Sequence, residues 1–330
     1  ELTWGSDEDT QTTQAGVRAT PWRGGQLGTS VGRAYSEDSR RVFANLGLDQ
    51  TWQVSERWSL DGGFERSHTL DGQSDTGSDS FADDDFTALS LGAGYRADVW
   101  SWTSRAETRF ADDEKKWNLL SGFIVEPIRG LGLSAGLQLN ITDAENGQDD
   151  TEGDLRLSLA WRPKNTRWIV LDRLEYKFDR IDGTSCDSDS RRIVNNLNLN
   201  FKPHDRLQLA GQYGAKFVLD TFDDDTYTGF TDLIGLEARY DITRYWDIGL
   251  RTSVLHSWNA GQVETSAGAS VGYAIVKNAW LSVGYNFIGF EDEDFSQGSY
   301  TAQGPFVQFR FKFDQQTVHE MVDWFGGKTR

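Results

Sequence analysis

Arg105, Glu107 and Arg109 stand two residues apart in the run WSWTSRAETRF, and Arg173, Glu175 and Lys177 repeat that spacing in WIVLDRLEYKF. Side chains two apart share one face of a strand. Rows of alternating charge can pair along a wall or hold passing ions. Arg156, Glu237, Arg239, Arg251, Arg310 and Lys312 sit in similar alternating runs. A dry core could take these twelve residues only at a large desolvation cost, so they are expected to line a wet lumen. Neighbours of opposite sign, Arg105 with Glu107 and Glu237 with Arg239, are expected to compensate each other. The mixture of signs argues against a strongly anion-selective passage.

Two further residue sets could bind ligands. Asp223, Asp224 and Asp225, together with Glu291, Asp292, Glu293 and Asp294, offer hard oxygen ligands for calcium, without the spacing of an EF-hand. Weak loop-bound Ca²⁺, bridging to anionic lipopolysaccharide, is one expectation; a solvated anionic rim accounts for the same residues. His68, His204, His256 and His319 are scattered, with no metal-ligand spacing. No GxSxG, P-loop or HExxH motif is present, so no enzyme is expected. A serine, histidine and aspartate gathered from separate strands would escape this reading, which keeps an outer-membrane enzyme as the least favoured alternative. The single cysteine, Cys186, precludes a disulfide within the chain. The net charge of -18 makes nucleic acid an unfavourable partner.

The elements that must position these residues are strands. The chain has 330 residues and a mean hydropathy of -0.57, and no apolar run is long enough for a transmembrane helix. Transmembrane strands leave such averages untouched. A unit of strand, short turn, strand and long acidic loop recurs about every 35–40 residues. In LRLSLAWR, Leu155, Leu157, Leu159 and Trp161 oppose Arg156, Ser158 and Arg162; other segments split likewise. Tryptophans gather near the short turns: Trp22, Trp52, Trp58, Trp100, Trp161, Trp168, Trp246 and Trp280. Such residues form an aromatic girdle at a membrane interface.

The expected fold is an all-β, transmembrane, antiparallel up-and-down β-barrel of about 18 strands, with short periplasmic turns and long acidic extracellular loops. Seventeen strands are clear from Gln11 to Phe313, and ELTWG at residues 1–5 supplies the one needed for an even count. The barrel covers residues 1–313. Residues 314–330 form a periplasmic tail in which Val318, Met321, Val322 and Phe325 have the spacing of a short amphipathic helix. Both termini then lie in the periplasm of a bacterium, with the barrel in its outer membrane. Starting at Glu1 inside a strand, the chain reads as a processed form or a piece of something longer.

The run GYNFIGFEDEDFSQGSYTAQGPFVQFRFKFDQ, residues 284–315, resembles the ending of outer-membrane barrel domains at the C-terminus of very large bacterial surface proteins with tandem immunoglobulin-like repeats. The resemblance implies a barrel that anchors or passes a repeat region of the same polypeptide, and it brings no catalytic residues. The alternating PFVQFRFKF also resembles the final-strand signal read by the barrel-assembly machinery. The expected partners are therefore outer-membrane lipid, lipopolysaccharide, that machinery and a repeat region. The leading functional expectation is an anchor and pore domain of a larger surface or secretion protein; the alternative is a stand-alone diffusion porin for small solutes.

Overall fold

The computed structural model describes residues 2–7, 10–35, 39–74, 85–145, 147–183, 187–223, 225–276, 279–290 and 303–311. Asp224, Glu291, Asp292, Glu293, Asp294, Lys312, Phe313, the tail 314–330 and the side chain of Arg310 lie outside the described residues.

The described residues form eighteen strands: β1 (Leu2–Asp7), β2 (Thr10–Ala19), β3 (Gly25–Tyr35), β4 (Ser39–Gln53), β5 (Trp58–Ser74), β6 (Phe86–Arg96), β7 (Trp100–Ala111), β8 (Glu114–Ile128), β9 (Leu131–Ala144), β10 (Asp149–Trp161), β11 (Trp168–Asp182), β12 (Ser188–His204), β13 (Leu207–Phe222), β14 (Asp225–Asp241), β15 (Trp246–Ser257), β16 (Gln262–Val276), β17 (Ala279–Ile288) and β18 (Gly304–Phe311). Every strand pairs antiparallel with its sequence neighbour, from Leu2↔Ala15 in the first ladder to Ala279↔Phe311 in the last. This is an up-and-down meander. Its elements follow from the period-two alternation, which gives each strand one polar and one apolar face.

The register carries each face continuously around the sheet. Arg105 stands opposite Gly92 and Leu120, and Arg156 opposite Gly136 and Glu175, all on one face. The other face carries leucine, valine and aromatic residues, and it is uncovered: Leu91 is 73% exposed, Val17 70% and Leu250 63%. A water-soluble sheet would bury such residues. Among the described residues the buried apolar cluster is just Val194, Leu233, Leu255 and Phe290. Among the described residues no second layer packs against the sheet.

Its two ends differ. At one end lie the turns 20–24, 54–57, 97–99, 129–130, 162–167, 205–206 and 242–245, most of them with a tryptophan in or beside them. Arg129–Gly130 shows how tight they are: Gly130 has φ +87°, and a Cβ there would lie 2.5 Å from the carbonyl oxygen of Arg162. At the other, acidic end, the expected long loops are mostly missing. Connections 112–113, 145–148, 183–187, 223–224 and 258–261 are short, and only 75–85 and 289–303 exceed ten residues. The acidic segments are drawn into the ladders instead, as in Asp149↔Asp182 and Asp220↔Tyr227. Ladder pairing gives the backbone groups of these segments partners, and β12 and β14 grow to 17 residues each.

Candidate functional site: the charged face of the sheet

The charged residues reach the polar face by strand parity, and glycines on neighbouring strands decide where they lie. Arg105 of β7 places Nη1 3.3 Å from Asp61 of β5 and Nη2 2.7 Å from the Ser90 hydroxyl and 3.8 Å from Asp49 of β4. The guanidinium lies flat across three strands because Gly92 and Gly63 leave room. A Cβ at Gly92 would stand 2.3 Å from Asp61, and one at Gly63 would meet Ser90 at 2.5 Å. Arg105 therefore pairs across the sheet, not with Glu107 two residues along its own strand.

Arg239 repeats the device. It reaches Asp247 at 2.5 Å and Glu237 at 3.0 Å, where Gly249 and Gly272 clear the space. Arg239 and Asp247 are both buried in the wall. A third cluster joins Arg156 to Glu175 at 2.7 Å and to Asp154 at 2.6 Å, with Arg173 3.4 Å from the same Glu175. Arg251 donates to Asn286 at 2.7 Å and lies 4.2 Å over the Phe306 ring. Arg109 stacks 3.6 Å over Phe86. Lys177 faces Asp154 in the register on this face. Arg310 has the parity of this face, opposite Trp280.

The acceptors Asp49, Asp61 and Asp247 were not among the residues expected from sequence, nor was the buried Arg41. Each aspartate follows a tryptophan-end turn or precedes one, so composition alone assigns it to the turn. Counting parity from Trp52, Trp58 or Trp246 would have placed all three opposite the tryptophan face.

Between these clusters the polar face has open floor. A groove of about 370 Å³ runs over β2–β7, with Arg18, Glu65, Arg105 and Glu107 among its walls. Gly28 and Gly47 form part of its floor, and a Cβ at either would meet nothing within 4 Å. The face can therefore present charge of both signs to water and to small polar solutes.

At the acidic end, Asp85 precedes β6 and takes the Arg41 guanidinium at 3.4 Å, the Thr69 N–H and the His68 imidazole. Burial pushes its carboxyl up, but the hydrogen bonds from Thr69 and His68 more than offset this and hold it below its ordinary value. Of the expected calcium ligands, Asp223 and Asp225 are the two described. Asp223 has φ +50° and accepts the Asp187 N–H at 3.2 Å, which makes it a turn residue. Asp225 opens β14 in ladder register with Phe222. Among the described residues the carboxylates that do converge, within 4.8 Å, are Asp150, Glu152 and Asp179.

On the apolar face, aromatic rings mark both edges. Trp58, Tyr95, Trp100 and Phe123 form a chain with centroid separations of 4.8, 4.7 and 5.7 Å. Trp168 stacks on Phe201 at 4.2 Å and Trp246 meets Tyr273 at 4.9 Å. Trp52 and Trp161 share the parity of this face, and the Trp22 indole bonds to Gln50 on the same side. Trp280 departs from the expected girdle: it pairs with Ala274 and shares the parity of Ser282 and Gly284, which puts it on the polar face. It lines a cavity there with Arg239 and Asp247. Phe110 with Trp117, and Phe230 with Trp258, mark the opposite edge. From Trp100 to Phe110 on β7 is ten residues, or ~25 Å of height at ~3.3 Å per residue and a tilt of ~40°.

No known family model matches the chain, and no curated protein matches it. Solved structures do. The likeness is one of strand architecture. The outer membrane channel DcaP of Acinetobacter baumannii shares 12% identity, with 93% of this chain and 99% of that one covered, at a TM-score of 0.45. An anion-selective porin from Comamonas acidovorans shares 11%, with 92% and 100% covered, at 0.40. The copper transporter OprC shares 9%, with 91% and 64% covered, at 0.49.

Proposed function

We propose that this chain is an integral bacterial outer-membrane β-barrel, closed by β18 meeting β1, whose polar face lines a water-filled channel for small polar solutes. One observation carries the reading. The same strands hold uncovered leucines on one face and buried ion pairs such as Arg239–Asp247 on the other. The first face needs a medium without water, about as thick as a bilayer core; the second needs polar surroundings. Only a closed wall with lipid outside and water inside supplies both, because an open edge in hydrocarbon leaves backbone groups unbonded. In this reading the tryptophan end and both termini are periplasmic, and the acidic end meets lipopolysaccharide. The barrel-assembly machinery inserts it.

The wall's charges pair with each other and leave floor at Gly28 and Gly47, which favours a channel over a sealed plug. A second reading, a barrel that anchors a repeat region of a larger surface protein, draws on the run 284–315. Single-channel recording in planar bilayers separates them. Large, steady openings with weak ion selectivity are expected. Insertion without conductance would reject the channel and leave the anchor.

A further inference from the structure

On the apolar face, β11 and β12 place a carboxylate where lipid tails should be. Asp172 stands opposite Leu159 and Leu197, and Asn195 opposite Leu174 and Ala215. The Asn195 amide donates to Asp172 at 2.9 Å, and among the described residues this is the only hydrogen bond Asp172 has. Depth follows from the stacked pair Trp168 and Phe201 at the band's edge. Asp172 is four residues from Trp168, and Asn195 six from Phe201. At ~3.3 Å per residue and ~40° tilt they lie ~10 and ~15 Å inside that edge.

Several other polar groups on this face are bonded within the chain. Ser121 takes the Trp102 indole N–H at 3.2 Å, and Thr252 donates to the Ser266 carbonyl at 3.0 Å. Asp232 takes the Trp258 indole N–H at 2.8 Å, at the far aromatic edge. Arg66 lies eight residues from Trp58, and its long stem can carry the guanidinium to the far interface. An aspartate has no such reach. An ionisable group held at mid-depth is costly in lipid and normally faces protein or water.

We propose that Asp172 and Asn195 are the centre of an interface with a second copy of this chain, related by a two-fold axis along the membrane normal; the inference rests on the membrane reading above. The pair is self-complementary. Asp172 has a second carboxylate oxygen to offer, and the second N–H of Asn195 makes only a long 3.4 Å contact with the Arg173 carbonyl. Two copies facing each other close a ring in which each amide bridges both carboxylates, which stay on its diagonal. That reciprocity is what a two-fold contact requires. Beside the pair, Ala215 and Gly211 keep the surface low, so that two walls can approach. Lipid tails offer no donor, and a headgroup does not reach this depth.

The test uses the full chain reconstituted into lipid nanodiscs, with insertion read by heat-modifiable migration and mass by native mass spectrometry. The wild type should be dimeric. Asp172→Leu combined with Asn195→Leu should lower the dimer-to-monomer ratio about tenfold or more while the barrel stays inserted. In a Cys186→Ser background, Leu174→Cys should form a disulfide between copies and Leu91→Cys, on β6, should not. This second arm needs no change to the polar pair. An inserted wild type that is monomeric, a double variant that stays dimeric, or equal cross-linking at both positions overturns the interface alone. Failure to insert overturns the membrane reading and the interface with it.

Discussion

Single side chains in this wall are held by partners on other strands. Arg239 and Asp247 show the strength of the arrangement, since their side chains are 9% and 4% exposed. Arg239→Ala takes the guanidinium away from the buried Asp247 carboxylate and should cost about 3 kcal/mol of stability. Urea unfolding in lipid vesicles reads this directly; Arg105→Ala, at a pair half open to water, should cost much less. Asp85 gives a pH signature. Its folded value is depressed, so the unfolded chain takes up its proton first as the pH falls. The stability it supplies is full above the ordinary carboxylate value of ~3.9 and is lost below it, as pH drops through the folded value. Melting temperature should fall as the pH drops below about 4, and Asp85→Asn should flatten that slope.

Hairpins were legible where alternation was clean and misread where composition dominated. The polar and apolar faces of β7, β9 and β10 can be read from WSWTSRAETRF, LGLSAGLQLNI and LRLSLAW because period two survives there unbroken. The acidic segments look like loops because aspartate and glycine disfavour strands in isolation, whereas ladder bonds to two neighbours override that weak preference. Trp280 was misplaced for another reason: nearness to a turn grouped it with the girdle, whereas its alternation with Leu281, Val283 and Tyr285 puts it on the face of Ser282 and Gly284. Gly92, Gly249 and Gly272 make room for ion pairs between strands. Just past β17, Phe290 is buried with Val194, Leu233 and Leu255 of β12, β14 and β15, so the chain leaving β17 turns in over the polar face. Phe290→Ala should free that segment. The expected result is a larger single-channel conductance with the barrel still folded.

For the whole molecule, the open floor sets the prediction. Gly47→Leu adds bulk where a Cβ meets nothing within 4 Å, so folding should survive and conductance should drop. Bilayer recording beside a heat-modifiability assay separates the two effects. The architecture as a class was readable because the alternation and the aromatic edges repeat many times. The ion-pair partners were not, because they depend on which glycine faces which arginine on the neighbouring strand. The chain's pairing rule has one more consequence. Each ladder joins sequence neighbours only, from β1–β2 to β17–β18. A gene that duplicates one such hairpin, for example β13–β14, would add two staves to the wall without breaking any existing register. In the proposed barrel, pore width is thus a quantity that evolution, or an engineer, can count out two strands at a time.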